Sequence, residues 1–128
     1  MIVGPFNSGV AAGGAGAATA NSTAAVKVTG TVMGVYVKYN DAPPAATTDV
    51  TVATLGTYPS APARTILAIT NAATDGWFYP RVEVCSTAAA ALGEYTLIPI
   101  DDKIKVTIAQ ANDADSAEVW LDIIPQGG

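Results

Sequence analysis

The sequence contains no histidine and a single cysteine, and these scarcities remove several kinds of chemistry. Without histidine, neither a Ser–His nor a Cys–His pair can activate a nucleophile, so the common triad hydrolases are excluded. Cys85 alone cannot form a disulfide within the chain or supply the thiolates of a cysteine-based zinc site. It lies in the strand-like run VEVCST, where a small buried apolar residue is the simpler interpretation and a reactive thiol is the alternative.

Charged side chains are also scarce, at 13% of the residues, against about 25% in typical globular domains. The cores of protein interfaces are depleted of charge, so a weakly charged surface is one that other molecules can cover. We therefore expect this protein to assemble with copies of itself or with a partner. The alternative is a small monomer that is simply rich in alanine and threonine.

Basic residues are few, and the net charge is −5. Nucleic-acid binding requires Lys and Arg clustered into a patch, so no nucleic-acid partner is expected. No stretch approaches 18 apolar residues, and the sequence predicts no membrane-spanning helix and no membrane partner. The basic residues are scattered along the chain: Lys27, Lys38, Arg64, Arg81, Lys103 and Lys105.

The first 24 residues differ in composition from the rest of the chain. They are mostly Ala, Gly, Ser and Thr, and they offer too little apolar area to offset the entropy of ordering. We predict a flexible Ala/Gly-rich arm over residues 1–24, either mobile or lying extended on a neighbour. Its larger side chains, Ile2, Val3 and Phe6, are the expected anchors.

Residues 25–128 have the size of one domain and show repeated alternation of apolar and polar residues. Pro-rich loops are predicted at 41–48 and 56–63, and no long helix is indicated. This pattern predicts an all-β protein, a β-sandwich of the jelly-roll type with an extended N-terminal arm. About eight short strands are expected: 24–32, 35–40, 48–54, 64–70, 79–85, 95–100, 103–110 and 117–124.

Local signals refine this prediction. The alternation changes phase near Gly30 and Gly34, which requires a bulge or a break in the strand. Residues 64–70 form a fuller apolar run that suits a strand covered on both faces. Pro99 removes a ladder donor and indicates an edge strand. Residues 86–95 suit one short helical turn or a loose loop.

Carboxylates provide the most plausible polar sites. Asp101 and Asp102 are adjacent, and Asn112, Asp113 and Asp115 lie together in NDAD, a set of oxygens that hard cations accept. However, NDAD joins two predicted strands, and Asp and Asn favour turns for backbone reasons. The sequence therefore predicts no metal, no cofactor and no catalytic residue.

The most distinctive stretch is TNAATDGWFYPRVEV, residues 70–84, where Trp77, Phe78 and Tyr79 are consecutive. These aromatic residues can stack on a sugar ring, anchor a protein contact together with Arg81, or cap the core. Strand alternation places Trp77 and Tyr79 on one face and Phe78 on the other. We expect one face to be core and the other to be contact surface.

Trp120 raises the same question in the last strand. Alternation places it outward with Glu118 and Asp122, while Val119, Leu121 and Ile123 point inward. An outward Trp is costly unless a partner or a segment of the same chain covers it. The predicted interface residues are Ile2, Val3, Phe6, Trp77, Tyr79, Arg81 and Trp120.

Three stretches, GVYVKYNDAPPAATTDVTV, TNAATDGWFYPRVEV and IPIDDKIKVTIAQANDAD, resemble in order the small head proteins of tailed bacteriophages. These are cement, or decoration, proteins with a jelly-roll β-sandwich, and the similarity covers about residues 25–124. The resemblance implies a non-enzymatic virion protein on the capsid exterior. It further implies a homo-oligomer, a trimer or alternatively a dimer, that bridges major capsid protein subunits.

A second function stays open from the residues themselves. A carbohydrate-binding β-sandwich module would expose Trp77, Tyr79 or Trp120 in a groove with polar neighbours. Tryptophan fluorescence that responds to glycans would indicate such a module, whereas an oligomer inert to glycans would indicate a cement protein.

Overall fold

A computed structural model describes residues 1–40, 44–56 and 62–125 of the chain. These residues form nine β-strands, all paired antiparallel, and no helix that could cross a membrane. The predicted loops at 41–48 and 56–63 fall partly outside the described residues. The strands are β1 (Ile2–Asn7), β2 (Ala18–Tyr39), β3 (Asp49–Thr54), β4 (Thr65–Ile69), β5 (Gly76–Phe78), β6 (Val82–Cys85), β7 (Ala91–Thr96), β8 (Ile98–Ala111) and β9 (Ala117–Pro125).

The strand β2 is 22 residues long and belongs to both layers of the fold. Its first part, residues 18–32, pairs with β8, and its second part, residues 30–39, pairs with β9. The sheet order β1-β9-β2-β8-β3-β4, with β5 paired to β2, therefore divides into two groups of strands joined through β2. The architecture is all-β with antiparallel sheets packed together, consistent with a β-sandwich. The jelly-roll connectivity stays a prediction.

One hydrophobic core lies between the two groups of strands, and alternation along each strand supplies it. Complete burial of a Val, Leu or Ile side chain contributes about 1.5–3 kcal/mol each. The inward face that the sequence predicted for β9 is confirmed, and β3 and β8 have buried faces of the same kind. These faces carry Val50, Val52, Ile104, Val106, Ile108, Val119, Leu121 and Ile123, all at most 1% exposed.

The predicted change of phase occurs inside β2 as a bulge. The register of β2 against β9 shifts between Val32 and Gly34, so Val32 and Val35 both face the core. A second shift, between Thr23 and Lys27 against β8, leaves Val26 75% exposed rather than on the buried face with Val32. The strand thus stays continuous because bulges absorb both changes.

The N-terminal segment is extended as predicted, but it is not a flexible arm. β1 pairs with β9, and residues 18–24 already belong to β2. Between them, Ala11 accepts a backbone hydrogen bond from Ala114 at 2.8 Å and donates one to Asp115 at 2.7 Å. The low content of large apolar side chains in residues 1–24 does not prevent ordering. Backbone pairing orders the segment instead, and small side chains allow the close approach.

Three other expectations are wrong. Residues 64–70 are not covered on both faces, because β4 is the last strand of the sheet and only its Ile66 is buried. Residues 86–95 form no helical turn. They complete a hairpin of β6 and β7, with Ala89 at a φ of 63° in the turn and Cys85 exposed rather than buried.

The edge strand predicted from Pro99 is also wrong, because β8 lies between β2 and β3 in the sheet. Pro99 lies opposite Thr31 of β2, whereas β3 pairs with β8 only from Ile104 onward. The missing N–H of Pro99 therefore interrupts no second ladder. Its carbonyl accepts a hydrogen bond from the Arg64 guanidinium at 2.8 Å.

We predict that Gly30→Ala destabilises the protein by about 2–4 kcal/mol. Gly30 has a φ of 151°, and an added Cβ would lie 2.5 Å from Ile123 Cγ2 and 2.5 Å from the Ile124 carbonyl oxygen. The control is Gly76→Ala, because a Cβ at Gly76 meets nothing within 4 Å. Urea unfolding of both variants measures the difference, and equal stability of the two would contradict this account.

Candidate functional site

Three aromatic residues occupy one register position on three adjacent strands. Tyr36 of β2 lies directly opposite Trp77 of β5 on one side and Trp120 of β9 on the other. Directly opposed residues project from the same face of a sheet, so the three side chains line up across it. The ring centroid of Tyr36 lies 5.3 Å from that of Trp77 and 5.9 Å from that of Trp120.

Tyr79 extends this line. It follows Trp77 by two residues, and the two rings are nearly parallel at 13° with centroids 6.4 Å apart. Pairs at such separations contribute about 0.5–1.5 kcal/mol beyond the area they bury. Phe78 packs against the core, as the predicted alternation requires. We call Trp120, Tyr36, Trp77 and Tyr79 the aromatic row.

Two glycines make room for the outer rings. A Cβ at Gly34 would lie 3.2 Å from the ring of Tyr79, and a Cβ at Gly4 would lie 3.1 Å from Cδ1 of Trp120. Tyr79 therefore lies over the backbone of β2, and Trp120 lies against β1. Trp120 is therefore half-buried, and β1 and Tyr36 of its own chain cover it.

The exposed part of the row is at the β5 end. Trp77 is 44% exposed and Tyr79 is 65% exposed. Charges flank the row on β2 and β9, where Lys38 lies opposite Glu118. The row is thus an apolar, rigid strip with a charged margin, which is the anatomy of a contact surface.

Arg81 holds the chain beyond Tyr79 in place. Its Nη1 donates to the carbonyl oxygen of Met33 at 2.9 Å and to that of Pro80 at 2.8 Å. These bonds attach the segment after β5 to β2, so the shown role of Arg81 is positioning. The side chain is exposed.

The other predicted interface residues lie on β1. Val3 and Phe6 are partly buried and pack against the core, whereas Ile2 is 53% exposed. The predicted interface residues therefore lie in two different places. Trp77, Tyr79 and Trp120 come together in the row, and the β1 residues contribute mainly to the fold.

The carboxylates of Asp102 and Asp115 accept hydrogen bonds from backbone N–H groups. Asp102 is buried and accepts hydrogen bonds from the backbone N–H groups of Gly56 and Lys103, both at 2.7 Å. In NDAD, the Asp115 carboxylate accepts from the Asn112 N–H at 3.0 Å. Among the described residues, no three His, Cys, Asp or Glu side chains are grouped to hold a metal ion. Turn chemistry accounts for these positions.

Asp101 is the exposed member of its pair. The Thr29 hydroxyl donates to it at 2.6 Å, and Lys27 Nζ lies 3.1 Å away. The hydrogen bond from Thr29 and then the contact with Lys27 hold the pKa of Asp101 below its usual value of 3.8. Both partners stabilise the carboxylate across the β2–β8 ladder, which is a structural role.

Sequence reasoning missed Tyr36. Its outward direction follows from alternation between the buried Val35 and Val37, but nothing in the sequence shows which residues lie beside it. Cross-strand register brings Trp77 and Trp120 to its two sides.

No protein-family model, curated protein or solved structure matches the chain. The aromatic row is therefore interpreted from its own geometry and from the physical chemistry of contact surfaces.

One polar atom of the core has no partner. The hydroxyl of Tyr39 is buried and makes no hydrogen bond among the described residues. Burial, and secondarily the charge of Asp75, raises the pKa of Tyr39 to about 12. Asp75 also accepts a hydrogen bond from the backbone N–H of Tyr39 at 2.9 Å, so the two residues are held together.

We predict that Tyr39→Phe is neutral or stabilising by up to about 1–2 kcal/mol at pH 8, because it removes an unsatisfied buried hydroxyl. The unfolded Tyr39 ionises near pH 10, whereas the folded residue keeps its proton to about 12. In this pH range the unfolded state binds fewer protons than the folded state. The free energy of unfolding of the wild type therefore falls between pH 10 and pH 12. Urea unfolding at pH 8, 10 and 11 should show a smaller fall in the variant. An identical fall in the stability of the wild type and the variant would contradict the assignment of this pH dependence to Tyr39.

Proposed function

We propose that this chain is a capsid cement, or decoration, protein. It binds the outer surface of a bacteriophage head and stabilises contacts between major capsid protein subunits. The observation that carries the proposal is the aromatic row, an exposed and rigid apolar strip on the outer face of the sheet. Trp, Tyr and Arg are the residue types that dominate the energetics of protein interfaces.

Rigidity of the row favours binding. Trp120, Tyr36 and Trp77 project from paired strands, and the rings of the row pack on one another, so few rotamers remain to be lost when a partner covers them. The glycines beneath Tyr79 and beside Trp120 fix the rings further. A preorganised apolar strip therefore converts more of its buried area into affinity than a mobile loop does.

A single copy of the row makes a small contact. Aromatic side chains bury about 150–250 Å² each, and within the row only Trp77 and Tyr79 are classed as exposed, at 44% and 65%. A stable interface needs roughly 800 Å² on each partner. Binding to a shell therefore requires additional contacts or several linked copies, and a trimer or dimer supplies the latter through avidity.

Charge supports the assignment to the outside of the head. The net charge of −5 disfavours contact with packaged DNA, and few charged groups need desolvation on docking. The assignment to phage heads in particular comes from the resemblance in residues 25–124. It is the sequence pattern, together with the aromatic row, that favours a capsid partner.

A carbohydrate-binding module is the second candidate, and one observation favours it. The rings of Trp77 and Tyr79 are nearly parallel and are both exposed. Exposed aromatic rings of this kind offer faces on which a sugar can stack. This candidate predicts a change in tryptophan fluorescence with glycans that Trp77→Ala abolishes.

We predict that Trp77→Ala and Tyr79→Ala each weaken binding to expanded heads lacking this protein by at least about 10-fold. Co-sedimentation with the heads measures binding, and circular dichroism confirms that the variants fold. Leu55→Ala is the control, since Leu55 is 37% exposed and lies outside the row. Wild-type binding by both aromatic variants, or a glycan response without head binding, would overturn the proposal.

A further inference from the structure

The hairpin formed by β6 and β7 stands apart from the rest of the fold. It is a separate two-stranded sheet, and every residue of β7 is exposed. Among its apolar side chains, Val82 is 39%, Leu92 54% and Tyr95 65% exposed. An isolated two-stranded hairpin is at best marginally stable in water, so a partner that covers it would stabilise it.

The same chain carries an apolar groove. A cavity of about 430 Å³ opens between β1 and the middle of β2, lined by Met1, residues 3–6 and residues 24–29. Val26 at this groove is 75% exposed, although it is a large apolar side chain. The groove and the hairpin are thus two unpartnered apolar surfaces on one molecule.

Both surfaces offer unpaired backbone. Among the strands that the structure describes, β1 is terminal in its sheet and β7 pairs only with β6. In the groove wall, residues 24–26 fall in the register shift between β2 and β8 and have no ladder partner there. β1 and β7 are each six residues long, but β1 has a register shift between Val3 and Phe6 and its Pro5 lacks an N–H, so an added strand pairs with part of β1.

The hairpin is acidic, whereas the cations that line the groove are each paired with an aspartate outside the lining. Residues 82–96 carry Glu83 and Glu94 and no basic residue. The groove lining carries Lys27 and the terminal amine of Met1 and no acidic residue. Lys27 contacts Asp101, and the amine contacts Asp122, so these cations orient an approaching hairpin more than they add affinity.

We propose that the β6–β7 hairpin of one copy docks in the groove between β1 and β2 of a second copy. β7 adds to the free edge of β1, which is the common mode of strand addition. Because hairpin and groove are different surfaces, the contact is head-to-tail and closes into a ring when the rotation permits. This interface rests on the assembly part of the proposed function. Its test uses no capsid, so the two can fail separately.

Light scattering of the full chain over a range of concentrations tests the contact. We expect a mass of at least twice the 12.9 kDa chain, and a dissociation constant raised at least 10-fold by either Leu92→Glu or Val26→Glu. Val10→Glu is the control, because Val10 is 68% exposed and belongs to neither surface. Circular dichroism establishes that each variant folds. A monomer at every concentration, or an oligomer that one of the two variants leaves intact, overturns the proposal.

Cross-linking locates the contact independently of stability. Cys85 is the only cysteine and is exposed on the hairpin, and Ala25 is exposed in the groove. With a short bismaleimide, Ala25→Cys should yield covalent dimers and larger species above the wild-type background. Ala68→Cys, exposed on β4 at the opposite end of the sheet, should not. Equal yields from the two variants, or links formed only within single chains, overturn the proposal.

Discussion

The fold depends on the pairing of β2 with two strands at once around Gly30. There β2 lies opposite Ile100 of β8 and Pro125 of β9, and the two parts of β2 continue with different partners. Gly30 is buried at the junction, and Ile123 and Ile124 lie closer to it than any Cβ permits. The absence of a side chain at this position thus allows one strand to join two groups of strands around one core.

The outer surface follows from the same pairing. Once β2 lies between β9 and β5, Tyr36 is fixed between Trp120 and Trp77, and the aromatic row results from register rather than from neighbouring positions in the chain. The bulge between Val32 and Gly34 sets the phase that turns Tyr36 outward. The surface that carries the proposed function is therefore a consequence of the register that builds the core.

Much of the fold was predictable because alternation with a period of two is a local signal. It correctly indicated the inward face of β9, the phase change in β2, and the opposite directions of Trp77 and Phe78. It did not indicate β1 as part of the sheet. There backbone hydrogen bonds to β9, which leave no mark on side-chain composition, act together with the packing of Val3 and Phe6 against the core.

The sequence by itself determined the all-β class, the inward side chains, and the exclusion of histidine-dependent chemistry, because each follows from residue type and local order. Only the tertiary structure decided which strands are neighbours. That choice made β4 an edge, left the β6–β7 hairpin exposed, and assembled the aromatic row from three separate strands. The physical reason is that strand pairing joins residues distant in sequence through backbone groups common to all residues, so its partners are set by the packing of the whole core.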